Sequence, residues 1–333
     1  MSEVQVETIV EPASGASGTA GGSSGPAGGG GGGAAVSGAR WREVVRQVVK
    51  SWSGRVGLVL ATVIIGMAVF APLLAPYGPR EVLLDSAAGE NRLESPCVHW
   101  LGCSGDEVQH LMGLDDNGRD EFSRLVYGSR ISLLAGAVAV MLAMAIGTTI
   151  GLISGFFSRW LDNVLMRCMD VLLSFPSLLL AILIVTVLGR GLINSVLAIA
   201  IVSVPVYARV TRGQVLAVRE LDFVTADRAL GVSSFRLLRH RVFPNVLTPL
   251  VVQGTLGFAT AVLEIAGLGF LGLGVQPPDA EWGTMISAAY RNIFNTPHLV
   301  FFPGLMIFLN VLAFNLLGDA LRDALDPRTA GRA

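Results

Sequence analysis

The sequence predicts an all-α membrane protein with six transmembrane helices, and three observations predict it. Of 333 residues, 52% are hydrophobic and 15% charged, well below the ~25% charged of an ordinary soluble domain. Apolar runs occupy 56–75, 131–153, 169–188, 192–208, 250–271 and 299–317. Each is close to the ~20 residues that cross a hydrocarbon layer of about 30 Å. With the N-terminus placed inside, the cations divide 17 inside to 7 outside, the bias that orients membrane helices. Both termini are therefore expected in the cytoplasm.

In chain order, residues 1–37 are rich in Gly, Ser and Ala, with an unbroken glycine run at 28–33. Such a segment buries too little apolar surface to offset its ordering entropy, and a disordered cytoplasmic tail is expected. Its acidic start lacks the cationic and apolar regions of a secretory signal. Residues 38–55 change character: Trp41, Val44, Val45, Val48 and Val49 recur at helical spacing, with Arg42, Arg46 and Lys50 on other faces. This predicts an amphipathic helix, either lying on an anionic membrane surface or extending the next element. The first transmembrane helix is expected at 56–75, and Pro176, Pro205 and Pro303 are taken as tolerated within packed membrane helices.

The connection at 76–130 is the one sizeable external loop, and it is acidic. Cys97 and Cys103 lie close together in it. In an oxidising compartment such a pair favours a small-loop disulfide. A metal or redox site recruiting His99 is a weaker alternative. The third cysteine, Cys168, lies in an apolar run and is expected in the core.

Residues 131–318 hold the remaining five runs, interrupted by a basic polar segment at 222–243. Asp222 or Thr225 can cap a first short helix. Gly231 can end it in the left-handed conformation, Ser233 can cap a second, and Pro244 is expected to stop it. Phe223, Leu230 and Phe235 are too apolar for a freely solvated loop, so the bracket is expected to be a docking surface. Residues 319–333 form a tail helix with Leu317, Leu321 and Leu325 on one stripe and Pro327 at its end.

The ionisable groups inside the runs are few. Arg167 and Asp170 are expected to make a polar contact or gate near the inner end of the third run. Glu264 is the single mid-span acid, expected to serve the glycine-rich stretch after it or, less directly, the substrate path. No His or carboxylate cluster has the spacing of a metal site, and no Ser/His/Asp set points to catalysis. A nucleotide-binding loop of the Gly-Lys-Ser/Thr type is excluded, because the one lysine, Lys50, follows Val49. The chain is thus not expected to be an enzyme.

The run Thr225-Ala-Asp-Arg-Ala-Leu-Gly231, followed by Phe243-Pro244-Asn245, resembles the EAA loop of ABC-importer permeases. Thr225 stands where that family has Glu, Asp227 where it has a second Ala, and Gly231 is kept. Gly113-Leu-Asp-Asp-Asn-Gly-Arg119, Met169-Asp170-Val-Leu-Leu-Ser-Phe-Pro176, Phe270-Leu-Gly-Leu-Gly274 and Asn315-Leu-Leu-Gly-Asp319 narrow the likeness. Together they resemble the C-type permeases of dipeptide, oligopeptide and nickel importers, over roughly 40–328. The resemblance implies a type I, MetI-like fold with a cytoplasmic coupling helix. It also implies a heterodimer with a second permease, two ATPase subunits that bind ATP and Mg, and an external solute-binding protein; this chain needs no cofactor. Phe223, Thr225, Ala226, Asp227, Leu230, Gly231, Phe235 and Arg236 would then couple to the ATPase. Peptide is the implied cargo, with nickel or another small solute as the alternative. An ion-driven secondary transporter is the rival class, and it would need more mid-span carboxylates than Glu264.

Overall fold

The computed structural model describes residues 38–83, 93, 96 and 110–325. Among them the regular structure is helical. Five unbroken helices are long and apolar enough to cross a membrane, and a sharply bent pair makes a sixth crossing if counted as one.

Helix α1 (Gly38–Lys50) is followed by Ser51, whose Oγ accepts from Gly54 N at 3.1 Å and caps α2 (Trp52–Val69). The expected 38–55 unit therefore divides at Ser51. Val44 and Val48 of α1 are buried against Ala320, with Leu317, Leu321 and Leu325 around them. Two valines of the apolar stripe of α1 are thus covered by the end of α12. Val45 and Val49 stay exposed. A break at Phe70, with Pro72 in the next turn, separates α2 from α3 (Ala71–Leu74).

Helix α4 (Glu121–Phe156) starts ten residues earlier than the hydropathy suggests, capped by Asp120, whose Oδ2 accepts from Ser123 N at 2.7 Å. The loop expected at 76–130 is shorter by that much. The run expected as one span at 169–188 is instead α5 (Arg159–Leu173) and α6 (Ser177–Leu188), bent by 92°. Pro176 is the cause: its ring disfavours helix at Phe175, and it supplies no N–H to the turn. The proline is tolerated as a corner rather than inside a straight span.

Helix α7 (Leu192–Arg219) absorbs Pro205 and runs past the apolar stretch. Its packing on α4 rests on glycine. A Cβ at Gly147 would lie 2.6 Å from Val204 O, and one at Gly151 2.5 Å from Ala208 O. At Gly155 it would meet Val215 at 2.9 Å. Only a hydrogen at these three positions lets the backbones approach this closely.

The bracket comprises α8 (Asp222–Ala229), α9 (Ser234–Leu237) and a π turn (Leu238–Val242) that runs directly into α10 (Phe243–Phe270). Pro244 does not stop a helix. It sits in the first turn of α10, and the wide turn before it carries an N–H from Phe243 to Leu238 O. A five-residue hydrogen bond of this kind lets the chain pass the residue that cannot donate. Helix α11 (Trp282–Ala289) and α12 (His298–Leu325) complete the fold. The expected tail helix from 319 is the continuation of α12 as far as Leu325; residues beyond it, like 1–37, Cys97 and Cys103, lie outside the described residues.

Candidate functional site: the helical bracket

Helix α8 begins at Asp222 without a side-chain cap: the preceding position is Leu221, and neither Asp222 nor Thr225 fills the role. It ends as expected. Gly231 takes φ +79°, its N–H bonds Arg228 O at 3.0 Å, and Val232 N bonds Asp227 O at 3.1 Å. Those bonds form the paired closure that ends a helix on a left-handed residue.

The apolar residues of the bracket divide by direction. Val224, Leu237 and Val242 are fully buried, and Phe223, Val232 and Leu238 pack half-buried against the same core. Leu230 and Phe235 point outward, 81% and 70% exposed, with Leu221 also exposed. Phe223, expected to grip a partner, is instead an anchor: it lies beside Val224 on the face turned to the core. Thr225, Ala226 and Arg236 are exposed. The outward surface is therefore a hydrophobic ridge with a basic rim.

Asp227 is not a helix-start residue facing a partner. Its Oδ2 accepts from Arg241 Nε at 2.8 Å, joining α8 to the π turn. Arg228 stacks over the Phe156 ring, 5.5 Å from its centroid. That contact is a cation–π interaction with the end of α4.

Nearer the membrane, Asp170 does not pair with Arg167. It binds Arg209 of α7 at 2.6 Å. Arg167 makes no ion pair among the described residues, and lines a cavity of about 630 Å³ with Trp160, Asp170 and Arg212. About two turns of α5 before Asp170, Asp162 receives both Nε and Nη2 of Arg212, at 2.5 and 2.7 Å, and Ser154 Oγ at 2.5 Å. These bonds tie α4, α5 and α7 together. Asp162 is not among the residues expected to act here. An acid on α5 at the same depth as the basic end of α7 was its signal. Glu264 on α10 accepts from Ser177 Oγ at 2.9 Å, so it serves the first turn of α6 rather than the glycine stretch after it. Cys168, expected in the core, is exposed on α5. No helix among the described residues covers that face.

The opposite end of the molecule is closed by a polar clamp. Asp115 accepts from Arg119 N at 2.9 Å and Arg119 Nε at 2.7 Å, and Arg124 Nε lies 3.3 Å away. Arg124 Nη1 also donates to Pro79 O and Pro278 O. Glu281 caps α11 through Gly283 N and Thr284 N, at 2.9 and 3.0 Å. Burial pushes its carboxyl above the ordinary value, against the pull of those donors and of Ser132. Trp282, fully buried, donates Nε1 to Leu125 O at 3.1 Å.

A helical bundle with one end clamped and a protruding apolar bracket at the other has a match among known proteins. Residues 147–331 match the family described as binding-protein-dependent transport system inner membrane component, and 39–96 match the N-terminal TM domain of oligopeptide transport permease C. The first match covers more than half of the chain and includes the whole bracket. The chain belongs to that permease family. The dipeptide transport system permease protein DppC of Alkalihalophilus pseudofirmus is 46% identical over 86% of the permease and 90% of the relative. DppC of Haemophilus influenzae is 43% identical over 82% and 90%. The glutathione transport system permease protein GsiD of Pectobacterium atrosepticum is 40% identical over 86% and 90%. An inward-facing MetNI methionine ABC transporter structure covers 62% of the permease and 98% of its own chain, with 18% identity and a TM-score of 0.51. That likeness establishes the MetI-like fold alone. The permease is thus an integral membrane subunit of an ABC importer, not its ATPase. The family implies ATPase subunits, a substrate-binding protein and a second permease.

Proposed function

We propose that the permease forms the translocation path of a di- or oligopeptide importer together with a second, different permease. Two ATPase subunits bind ATP and Mg and drive the cycle, and an external protein delivers the peptide. The observation that carries the substrate reading is the identity of 43–47% to permeases named for dipeptide or di/tripeptide transport, over most of each chain. The glutathione relatives at 40% favour a second reading, in which the cargo is a modified tripeptide.

The bracket is the seat of an ATPase subunit. Leu221, Leu230 and Phe235 supply the apolar grip, and Arg236 with Arg239 the basic rim. Exposed apolar side chains of this size, rimmed by charge, favour a partner over water. The second permease covers the open side of the bent pair, where Trp160, Leu179, Leu183 and Val187 are more than half exposed. Both termini lie in the cytoplasm. The packing of α1 on the end of α12 supports ends on one side, hence an even number of crossings: six, with the bent pair as one. Cys97 and Cys103 form a disulfide in the external loop, which a thiol assay with and without reductant would check.

Uptake of a labelled dipeptide by a strain lacking its own peptide permeases tests the assignment. Expression of the whole importer restores uptake, ATP depletion stops it, and an uncoupler alone does not. Uptake that ignores ATP depletion but collapses with the uncoupler would transfer the chain to the ion-driven class. Gly231→Arg leaves the permease inserted but removes uptake and loosens the ATPase, because φ +79° is strained for any residue with a Cβ. Normal uptake in that variant would contradict the coupling role.

A further inference from the structure

Helix α8 has eight residues, a little over two turns. A helix this short does not hold its own direction; its neighbours must. Its fastenings toward the core are Val224, fully buried, and Phe223, half-buried, with Arg228 stacked on Phe156. These hold α8 against α4 and the main core. Toward α10, the chain passes through Gly231, a left-handed glycine with open space around it. Glycine there gives the connection freedom that another residue would remove.

The Asp227–Arg241 pair bypasses this hinge. Its two residues are fourteen apart, one on α8 and one in the π turn. Asp227 is 19% exposed and Arg241 44%, so the carboxylate is sheltered and the guanidinium reaches in over it. The π turn contributes to the geometry. Its extra residue rotates the segment before it by about 100° relative to a continuous α-helix, and Arg241 sits within that turn. From there α10 is unbroken to Phe270. It carries Glu264, bonded to Ser177 at the foot of α6, and Phe258, stacked 4.2 Å from Phe314 of α12.

We infer that Asp227 and Arg241 are a positioning strut, setting the angle between α8 and α10. A displacement of α8 by the docked ATPase is then delivered to α10 instead of being absorbed at Gly231. This rests on the reading of the bracket as the ATPase seat. Partly exposed ion pairs contribute little to folding stability, so the strut acts on transmission and not on whether the permease folds. Asp227 points at Arg241 and leaves the ridge of Leu230 and Phe235 free, so the strut and the grip are separate devices.

The test uses the complete importer in proteoliposomes, reading ATP hydrolysis, peptide uptake, ATPase subunit retained on purification, and thermal midpoint. Asp227→Asn and Arg241→Gln are expected to keep the ATPase bound and the midpoint unchanged. Uptake per ATP hydrolysed falls by about fivefold or more, the lower end of a usual coupling energy. The exchange Asp227→Arg with Arg241→Asp restores the ratio. An unchanged ratio in the single variants overturns the strut. So does a double variant no better than the singles, or a loss of uptake that tracks ATPase retention and midpoint together. The seat itself fails differently: Phe235→Ala would then leave ATPase retention as in the unaltered permease, whatever the Asp227 and Arg241 variants do.

Discussion

The two polar ends of the permease solve opposite problems. At the clamp, Asp115, Arg119, Arg124 and Glu281 are buried and bonded to one another or to backbone. At the bracket, Leu230 and Phe235 stand in the open while Val224 and Leu237 hold the segment down. The clamp hides charge and completes it within the chain. The bracket pairs Asp227 with Arg241 but leaves apolar surface uncovered. The first is a finished structural joint, and the second is a surface left open.

The comparison breaks most readily at the clamp. Asp115→Ala leaves two buried guanidiniums without their carboxylate, and removing one partner of a buried pair costs about 3–5 kcal/mol. The thermal midpoint in detergent should fall sharply; a midpoint near that of the unaltered permease would mean the cluster is solvated. The helix seam offers the next largest effect. Gly151→Leu forces α4 from α7 at Ala208 and Thr211, and overpacking of this kind costs about 1–3 kcal/mol or more. Folded yield should drop, with Gly213→Leu, which meets open space, as the control.

Glu281 gives a shallower, pH-dependent effect. Its folded carboxyl titrates above its ordinary value, which is 4.5. The folded protein therefore holds this proton more tightly than the unfolded chain. The contribution is fully present below the ordinary value and is lost as pH rises through the raised one. Thermal midpoint should fall with rising pH over that window, and Glu281→Gln should flatten the slope while keeping an acceptor for α11. A slope unchanged by the substitution would place the titration elsewhere, with the buried Asp120, also shifted upward by burial, as the next group to test. The smallest stability effect belongs to the bracket. Leu230→Ala and Phe235→Ala remove exposed side chains and should stay within about 0.5 kcal/mol. Their effect should appear only as lost ATPase.

The contrast also marks what the sequence carries. The apolar runs, the left-handed end at Gly231 and the outward Leu230 and Phe235 follow from local pattern. The corner at Pro176 and the passage through Pro244 do not. A proline in the sequence does not say which will happen, and the outcome depends on whether a neighbouring turn widens. Phe223 and Phe235 look alike in composition, yet one packs on the core and the other faces out, because the turn at Gly231 rotates the two arms differently. The pairing of Asp227 with Arg241, and of Asp170 with Arg209 rather than Arg167, depends on angles between helices that periodicity does not encode. Cys168 shows a further limit: an apolar run does not say whether its cover comes from the same chain. The peptide cargo rests on relatives and not on any side chain of the bracket.

The central claim is that the ATPase seats on the outward ridge of the bracket. Photo-crosslinking from single positions in the assembled importer tests it directly. Probes at 230 and 235 should capture the ATPase subunit, and a probe at 223 should react within the permease. Capture from 223 with none from 230 or 235 would contradict the account.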